Sequence, residues 1–292
     1  MTAFEGIWVP IVTPFHNGEV ALDAAQRLAA DLVDKGIHGI VVCGTTGEAA
    51  ALSEHEQATL LCAIIEAVGA RCPVAMGVSG SNTRVVAEKV KSYNHYAPAA
   101  YLLSAPSYVR PSQEGILWHF QAVASQTDLP IIIYNIPART GVNIDASTVA
   151  TLAMDPHFIA IKESSGDVSQ LMKIINNTSL KVLSGDDALL LTTLELGGHG
   201  AISAGAHIRP DLFVRIVDLM RAGQTEQASI IFHALLPLIR LLFSEPNPGP
   251  IKAALAIQGK MNDNLRLPMT PMSSAGKDKL AGILQEVADL RV

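Results

Sequence analysis

Eight short runs of β-branched and apolar residues recur along the chain, and segments of helical periodicity lie between them. The runs fall at 7–13, 39–44, 74–78, 99–104, 130–135, 158–162, 180–185 and 200–203. Helical patterns between them include 22–35, 54–68, 83–93 and 113–126. Tandem β-then-α units are the sequence form of a (β/α)8 TIM barrel, an α/β fold. Most of the runs are continuously apolar rather than alternating, as parallel strands covered by helices must be. The competing doubly wound open sheet calls for a Gly-rich nucleotide turn after the first strand, and "TPFHNGE" contains no G-x-G-x-x-G.

After residue 222 the strand signal stops. Segments 224–243, 251–258 and 273–290 read as helices, the first two separated by the Pro-rich break "SEPNPGP". The expected organisation is a catalytic barrel over 1–222 with a helical region, 223–292, packed on it. The most apolar long run, "IIFHALLPLIRLLF", is too short to span a bilayer and carries His233, Pro237 and Arg240. It reads as a helix buried against another helix or another subunit.

Composition narrows the function. Hydrophobic residues make up 49% of the chain and charged ones 16%, which implies much buried surface, a subunit interface included. A net charge of −6 without a basic run argues against a nucleic-acid partner. Cys43, Cys62 and Cys72 form no C-x-x-C and read as reduced thiols of a cytoplasmic protein. "MTAFEGIWVP" lacks the basic and apolar regions of a signal peptide. His199 and His207 stand eight apart and no H-x-x-x-H occurs, so no metal is expected.

In a barrel of this kind chemistry sits at the C-terminal ends of the strands. The special residues cluster there: Thr45, Thr46 and Glu48 in "GTTGE", Tyr108, Tyr134, Lys162, Gly185 and Ser203. Strict alternation puts Ala160 and Lys162 on one face and Ile159 and Ile161 on the other, so the lysine points into the barrel mouth. Two readings stay open for Lys162: a solvated strand-end cation, or an amine that the fold desolvates for attack on a carbonyl. Tyr134 ends the preceding run, and neighbouring strands would let its phenol serve as a proton relay. A buried structural tyrosine is the alternative. The remaining lysines look unremarkable. In "GTTGE", Thr45 and Glu48 have capping-box spacing, while the amides beside Gly44 and Gly47 and the Thr hydroxyls suit a carboxylate. Arg139, just past Tyr134, suits bidentate binding of a second carboxylate.

At these residues the chain resembles the dihydrodipicolinate synthase / N-acetylneuraminate lyase family, the class I pyruvate-dependent aldolases. The similar elements are "GTTGE", "YVRPSQEG", "YNIPARTG", "IKESSGD", "SGDD", "LGGHGAIS", "EPNPGPIK" and "LRLPMTP", in family order over nearly the whole chain. The resemblance implies Lys162 as the Schiff-base lysine and Tyr134 as the proton relay, completed by Thr45 and by Tyr108 reaching across a tight-dimer interface. It implies Thr46 on the pyruvate carboxylate, Arg139 on that of the second substrate, and backbone groups of Gly185 and Ile202 beside pyruvate. It implies no cofactor beyond the covalent lysine, no metal and no membrane. The expected assembly is a homotetramer of tight dimers, or a homodimer. Arg139 favours the synthase branch, in which pyruvate condenses with aspartate semialdehyde.

Departures from that branch point to alternatives. Ser107 and Val109 stand where synthases commonly have tyrosine and asparagine, and "SSGD" replaces Ala-Thr-Gly. These suit a pyruvate-dependent aldolase or dehydratase acting on a 2-keto-3-deoxy sugar acid. A non-catalytic keto-acid-binding paralogue is a third reading. Glu54, Gln57, Ser81 and Val85 do not keep the residues of feedback-inhibited synthases, so lysine regulation is not expected.

Overall fold

The structure, a computed structural model, describes residues 4–290. Ten strands are present: β1 Gly6–Pro10, β2 Phe15–His16, β3 Glu19–Val20, β4 Gly39–Val42, β5 Val74–Val78, β6 Ala100–Ser104, β7 Ile131–Asn135, β8 Phe158–Glu163, β9 Lys181–Ser184 and β10 Gly200–Ile202. Eight of them close into a barrel in the order β1-β10-β9-β8-β7-β6-β5-β4. Each expected run supplies one barrel strand. β2 and β3 form a small antiparallel hairpin that the strand pattern did not announce. Asn17 (φ 51°) and Gly18 (φ 84°) make its turn, the positive-φ pair that a two-residue hairpin favours.

The continuous apolar runs are explained by two buried faces. Ile131, Ile133 and Ile161 pack outward with the helices in the main core. Trp8, Val41, Leu102, Ile132, Ala160 and Leu183 fill the barrel interior as a separate cluster. Between β7 and β8 the register shifts: Ile131 pairs with Phe158, but Ile132 pairs with Ala160. Ile159 is therefore the extra residue of a bulge. It packs against the interior cluster rather than sharing the outward face of Ile161, which corrects the alternation expected from sequence.

Past the barrel, helices run over Thr225–Leu242, Gly249–Ile257 and Ser274–Ala288. In the first, Phe232, Leu235, Leu238, Ile239 and Leu242 are buried, while Ile230 stays exposed. Among the described residues no helix is long and apolar enough to cross a membrane.

The helical region is tied to the barrel by a buried ion pair. Lys252, wholly buried, meets the Glu48 carboxylate and donates to the Asn264 carbonyl (2.8 Å). Lys252 thus departs from the expectation that every lysine other than Lys162 is unremarkable. Burial pushes its pKa down and the Glu48 charge opposes that shift. The pair also removes Glu48 from the capping box proposed with Thr45: Glu48 is left-handed (φ 53°) and its side chain is committed to Lys252. The box forms further on. Ser53 Oγ accepts from the Glu56 amide (3.2 Å), and the Glu56 carboxylate accepts from the Ser53 amide (2.8 Å).

Candidate active site

β7 and β8 bring the two central residues together. Tyr134 and Lys162 are direct partners in the ladder, both side chains facing inward. The Lys162 ammonium nitrogen lies 4.4 Å from the centre of the Tyr134 ring. Both residues are buried, at 6% and 7% exposure, which removes the solvated strand-end reading of Lys162. Among the described residues no carboxylate comes within ion-pair distance of Lys162.

The two open on a cavity of about 310 Å³ that also bears Thr45, Thr46, Arg139, Gly185 and Ile202. Seven of the eight residues to which the family resemblance gives a role thus line one space. A second cavity of about 280 Å³ is mostly apolar in lining and shares Thr45, Tyr134, Arg139 and Asn247 with the first. Tyr108 lines neither: it is 92% exposed, with φ 71°. Its amide donates to the Thr140 carbonyl (3.1 Å), which holds the loop beside the short helix carrying Arg139.

Close packing explains the glycine of "SGDD". A Cβ on Gly185 would lie 1.8 Å from Ser164 Oγ and 2.6 Å from Lys162 Cε. The lysine stem therefore rests directly on this backbone. In "GTTGE" the amides of Gly47 and Glu48 are used within the turn, donating to the Gly44 and Thr45 carbonyls (both 3.1 Å). That corrects the idea that the amide at Gly47 faces a ligand. Thr45 and Thr46 remain at the cavity wall.

Two further residues line this mouth and a third is buried outside it; none of them was assigned from sequence. Asn247, from the Pro-rich break, donates through Nδ2 to Thr46 Oγ1 (3.0 Å), while its buried Oδ1 has no partner. Ser164 lines the cavity, but its Oγ is buried against Gly185 and unpartnered. Asp187 is 1% exposed and accepts from the Gly205 amide (2.6 Å). Burial pushes its pKa up to about 6, opposed by the Gly205 and Ser203 donors and the Lys162 charge. All three stand inside quoted elements, "EPNPGPIK", "IKESSGD" and "SGDD", so the signal was present but their contacts were not. Among the described residues no group of three His, Cys, Asp or Glu side chains could hold a metal ion. His207 is buried between the Val12 amide (3.1 Å) and the Ala204 carbonyl (2.7 Å). Burial holds its pKa at about 4, so it is a neutral structural histidine.

A parallel eight-stranded barrel whose strand ends open on a cavity with a buried lysine and phenol defines a (β/α)8 enzyme. The chain belongs to the dihydrodipicolinate synthetase family, whose model matches residues 3–287. A 4-hydroxy-tetrahydrodipicolinate synthase of Syntrophus aciditrophicus is 42% identical over 97% of this chain and 98% of its own length. The solved 4-hydroxy-tetrahydrodipicolinate synthase of Methylacidiphilum fumariolicum superposes with a TM-score of 0.96 at 35% identity, covering 98% of this chain and 97% of that one. A chloride-inhibited dihydrodipicolinate synthase from Acinetobacter baumannii, solved in complex with pyruvate, gives 0.95 at 33% identity, covering 99% of this chain and all of that one.

Proposed function

We propose that this chain condenses pyruvate with aspartate semialdehyde to 4-hydroxytetrahydrodipicolinate, a reaction of lysine and diaminopimelate biosynthesis, in keeping with relatives named 4-hydroxy-tetrahydrodipicolinate synthase. The observation that carries this reading is the Lys162 amine facing the Tyr134 ring at 4.4 Å, on a cavity shared with Thr45, Thr46 and Arg139.

The neutral Lys162 amine attacks the pyruvate keto carbon, and water leaves to give an iminium. Loss of a proton from the pyruvate methyl carbon gives the enamine. That carbon attacks the aldehyde of the second substrate, whose oxygen takes up a proton. The substrate's own amine then displaces Lys162 and closes the six-membered ring. Tyr134 relays the protons, with Thr45 and a partner-supplied Tyr108 completing its path. The exposure of Tyr108 within one chain supports that assignment. Thr46, steadied by Asn247, holds the pyruvate carboxylate, and backbone groups of Gly185 and Ile202 flank it. Arg139 binds the second carboxylate; it makes no ion pair among the described residues. The chemistry needs no cofactor beyond the lysine. The assembly in this reading is a homotetramer of tight dimers, or a homodimer, in the cytoplasm, with a catalytic barrel up to residue 222 and a helical region from 223 onward.

Incubation with pyruvate and borohydride will add one reduced pyruvate to Lys162, and a coupled assay will show turnover with aspartate semialdehyde. An unlabelled Lys162 removes the Schiff-base reading. Ser107, which lines the adjoining cavity where synthases commonly have a tyrosine, favours one second reading, a 2-keto-3-deoxy sugar acid as substrate. Turnover of a sugar-acid panel in place of aspartate semialdehyde selects that reading.

A further inference from the structure

Lys162 reaches the mouth only because β8 is bulged. Phe158 faces the helices, and strict alternation from it carries Ala160 and Lys162 outward too. The extra residue, Ile159, shifts the pairing by one and turns Lys162 inward opposite Tyr134. Upstream pairing cannot hold that register, since it is offset from the downstream ladder by one residue. The rungs beyond the bulge, with β7 on one side and β9 on the other (Ala160–Lys181 through Glu163–Ser184), carry it, together with whatever fixes their last pair.

The next rung of the ladder pairs Asn135 with Glu163, on the opposite face from Tyr134 and Lys162. Both are buried, at 0% and 5% exposure. Asn135 Nδ2 donates to both Glu163 oxygens (3.2 and 3.0 Å). The Ser165 amide donates to Oε1 (2.7 Å), and Gln170 Nε2 to Oε2 (3.3 Å). Asn143 closes the cluster: its Oδ1 accepts from Asn135 (2.8 Å) and its Nδ2 donates to Gln170 (2.8 Å). Asn135 Oδ1 accepts from the Ile144 amide (3.0 Å). Every donor to the carboxylate is neutral, and among the described residues no cation pairs with Glu163.

We propose that Glu163 and Asn135 are positioning residues: a buried carboxylate-amide clamp that fixes the bulged register and so holds the Lys162 amine against Tyr134. This rests on the Schiff-base reading of Lys162. A carboxylate is required because all of its partners are donors. The amide introduced by Glu163→Gln would turn its NH2 toward at least one of them in either orientation. The clamp touches no substrate and acts through its strand neighbours.

The test compares wild type with Glu163→Gln, using the rate of borohydride trapping at saturating pyruvate, kcat, KM for pyruvate, and thermal unfolding. Labelling of the wild type at Lys162 first confirms the reading on which the clamp rests; its absence removes both. In Glu163→Gln the trapping rate and kcat fall about 10²-fold, the order expected for a misplacement near 1 Å. KM for pyruvate changes little, because Thr46 and Gly185 are untouched. A folded Glu163→Gln protein that is labelled at the wild-type rate, whatever its melting temperature, overturns the proposal. Gln170→Ala, at the outer edge of the cluster, is the milder variant should Glu163→Gln fail to fold. It lowers the trapping rate several-fold, and an unchanged rate there overturns the proposal equally.

Discussion

Lys162 and Lys252 are both buried lysines, at 6% and 0% exposure, and they are built in opposite ways. Lys252 is wholly buried against a carboxylate, a carbonyl and the face of Phe15 (4.3 Å). Lys162 meets an aromatic face and a cavity, and among the described residues no carboxylate lies within ion-pair distance of it. An uncompensated buried charge is costly, so a fold supplies a partner or leaves room for one. At Lys252 the partner is Glu48, and the pair joins the helical region to the "GTTGE" loop. At Lys162 the proposed partner is the substrate. Burial alone does not mark a candidate functional lysine; burial against an open cavity with no carboxylate at ion-pair distance does.

The sharpest way to break this comparison is Lys162→Ala. Pyruvate labelling vanishes and kcat/KM falls by about 10⁴-fold or more, as for loss of a nucleophile. Urea unfolding moves little, because no ion pair is lost. Lys252→Met should do the reverse. It leaves Glu48 buried and unpaired at a cost of about 3–5 kcal/mol, read by urea unfolding, while the folded fraction still labels with pyruvate. Pairing it with Glu48→Leu recovers most of that stability, since both charges then leave together.

Gly185→Ala is the intermediate case. The new methyl meets Ser164 and the Lys162 stem, so labelling slows about 10²-fold. Overpacking of this kind costs about 1–3 kcal/mol of stability. The smallest effect lies beside Lys252. Arg266, whose amide donates to Glu48 (3.2 Å), holds the Glu56 carboxylate, and this bond keeps the Glu56 pKa at about 2. The folded pKa is depressed, so its stabilisation is present above the unfolded value of about 4.3 and is lost as pH falls toward 2. A partly exposed pair of this kind contributes about 1 kcal/mol. Urea midpoints at pH 5 and pH 3 should converge between wild type and Glu56→Gln.

Legibility followed the range of the interactions. The eight barrel strands could be read because each is an apolar run closed by its own neighbours in sequence. The helix Glu54–Val68 begins and ends where its periodicity does. The β2–β3 hairpin was missed because each strand is only two residues long, although Asn17-Gly18 signals the turn. Thr45-x-x-Glu48 and Ser53-x-x-Glu56 are the same local pattern, and only the second is a capping box. A lysine far along the chain takes the first glutamate, and no local rule contains that lysine.

The sequence by itself determined the barrel, the face on which its special residues gather, and the identity of the lysine and tyrosine at its centre. These follow from apolar period and from strand ends, both short-range properties. Tertiary structure alone decided how Lys162 comes to face inward. That depends on one extra residue in β8, on Gly185 beneath the lysine stem, and on the pairing of Asn135 with Glu163 behind it. A bulge is a relation between two strands, and a register exists only once both are in place. The stretch "IAIKESSGD" therefore carries the proposed nucleophile in plain view, while the geometry that would make the lysine useful is held by β7, β9 and the loops around them.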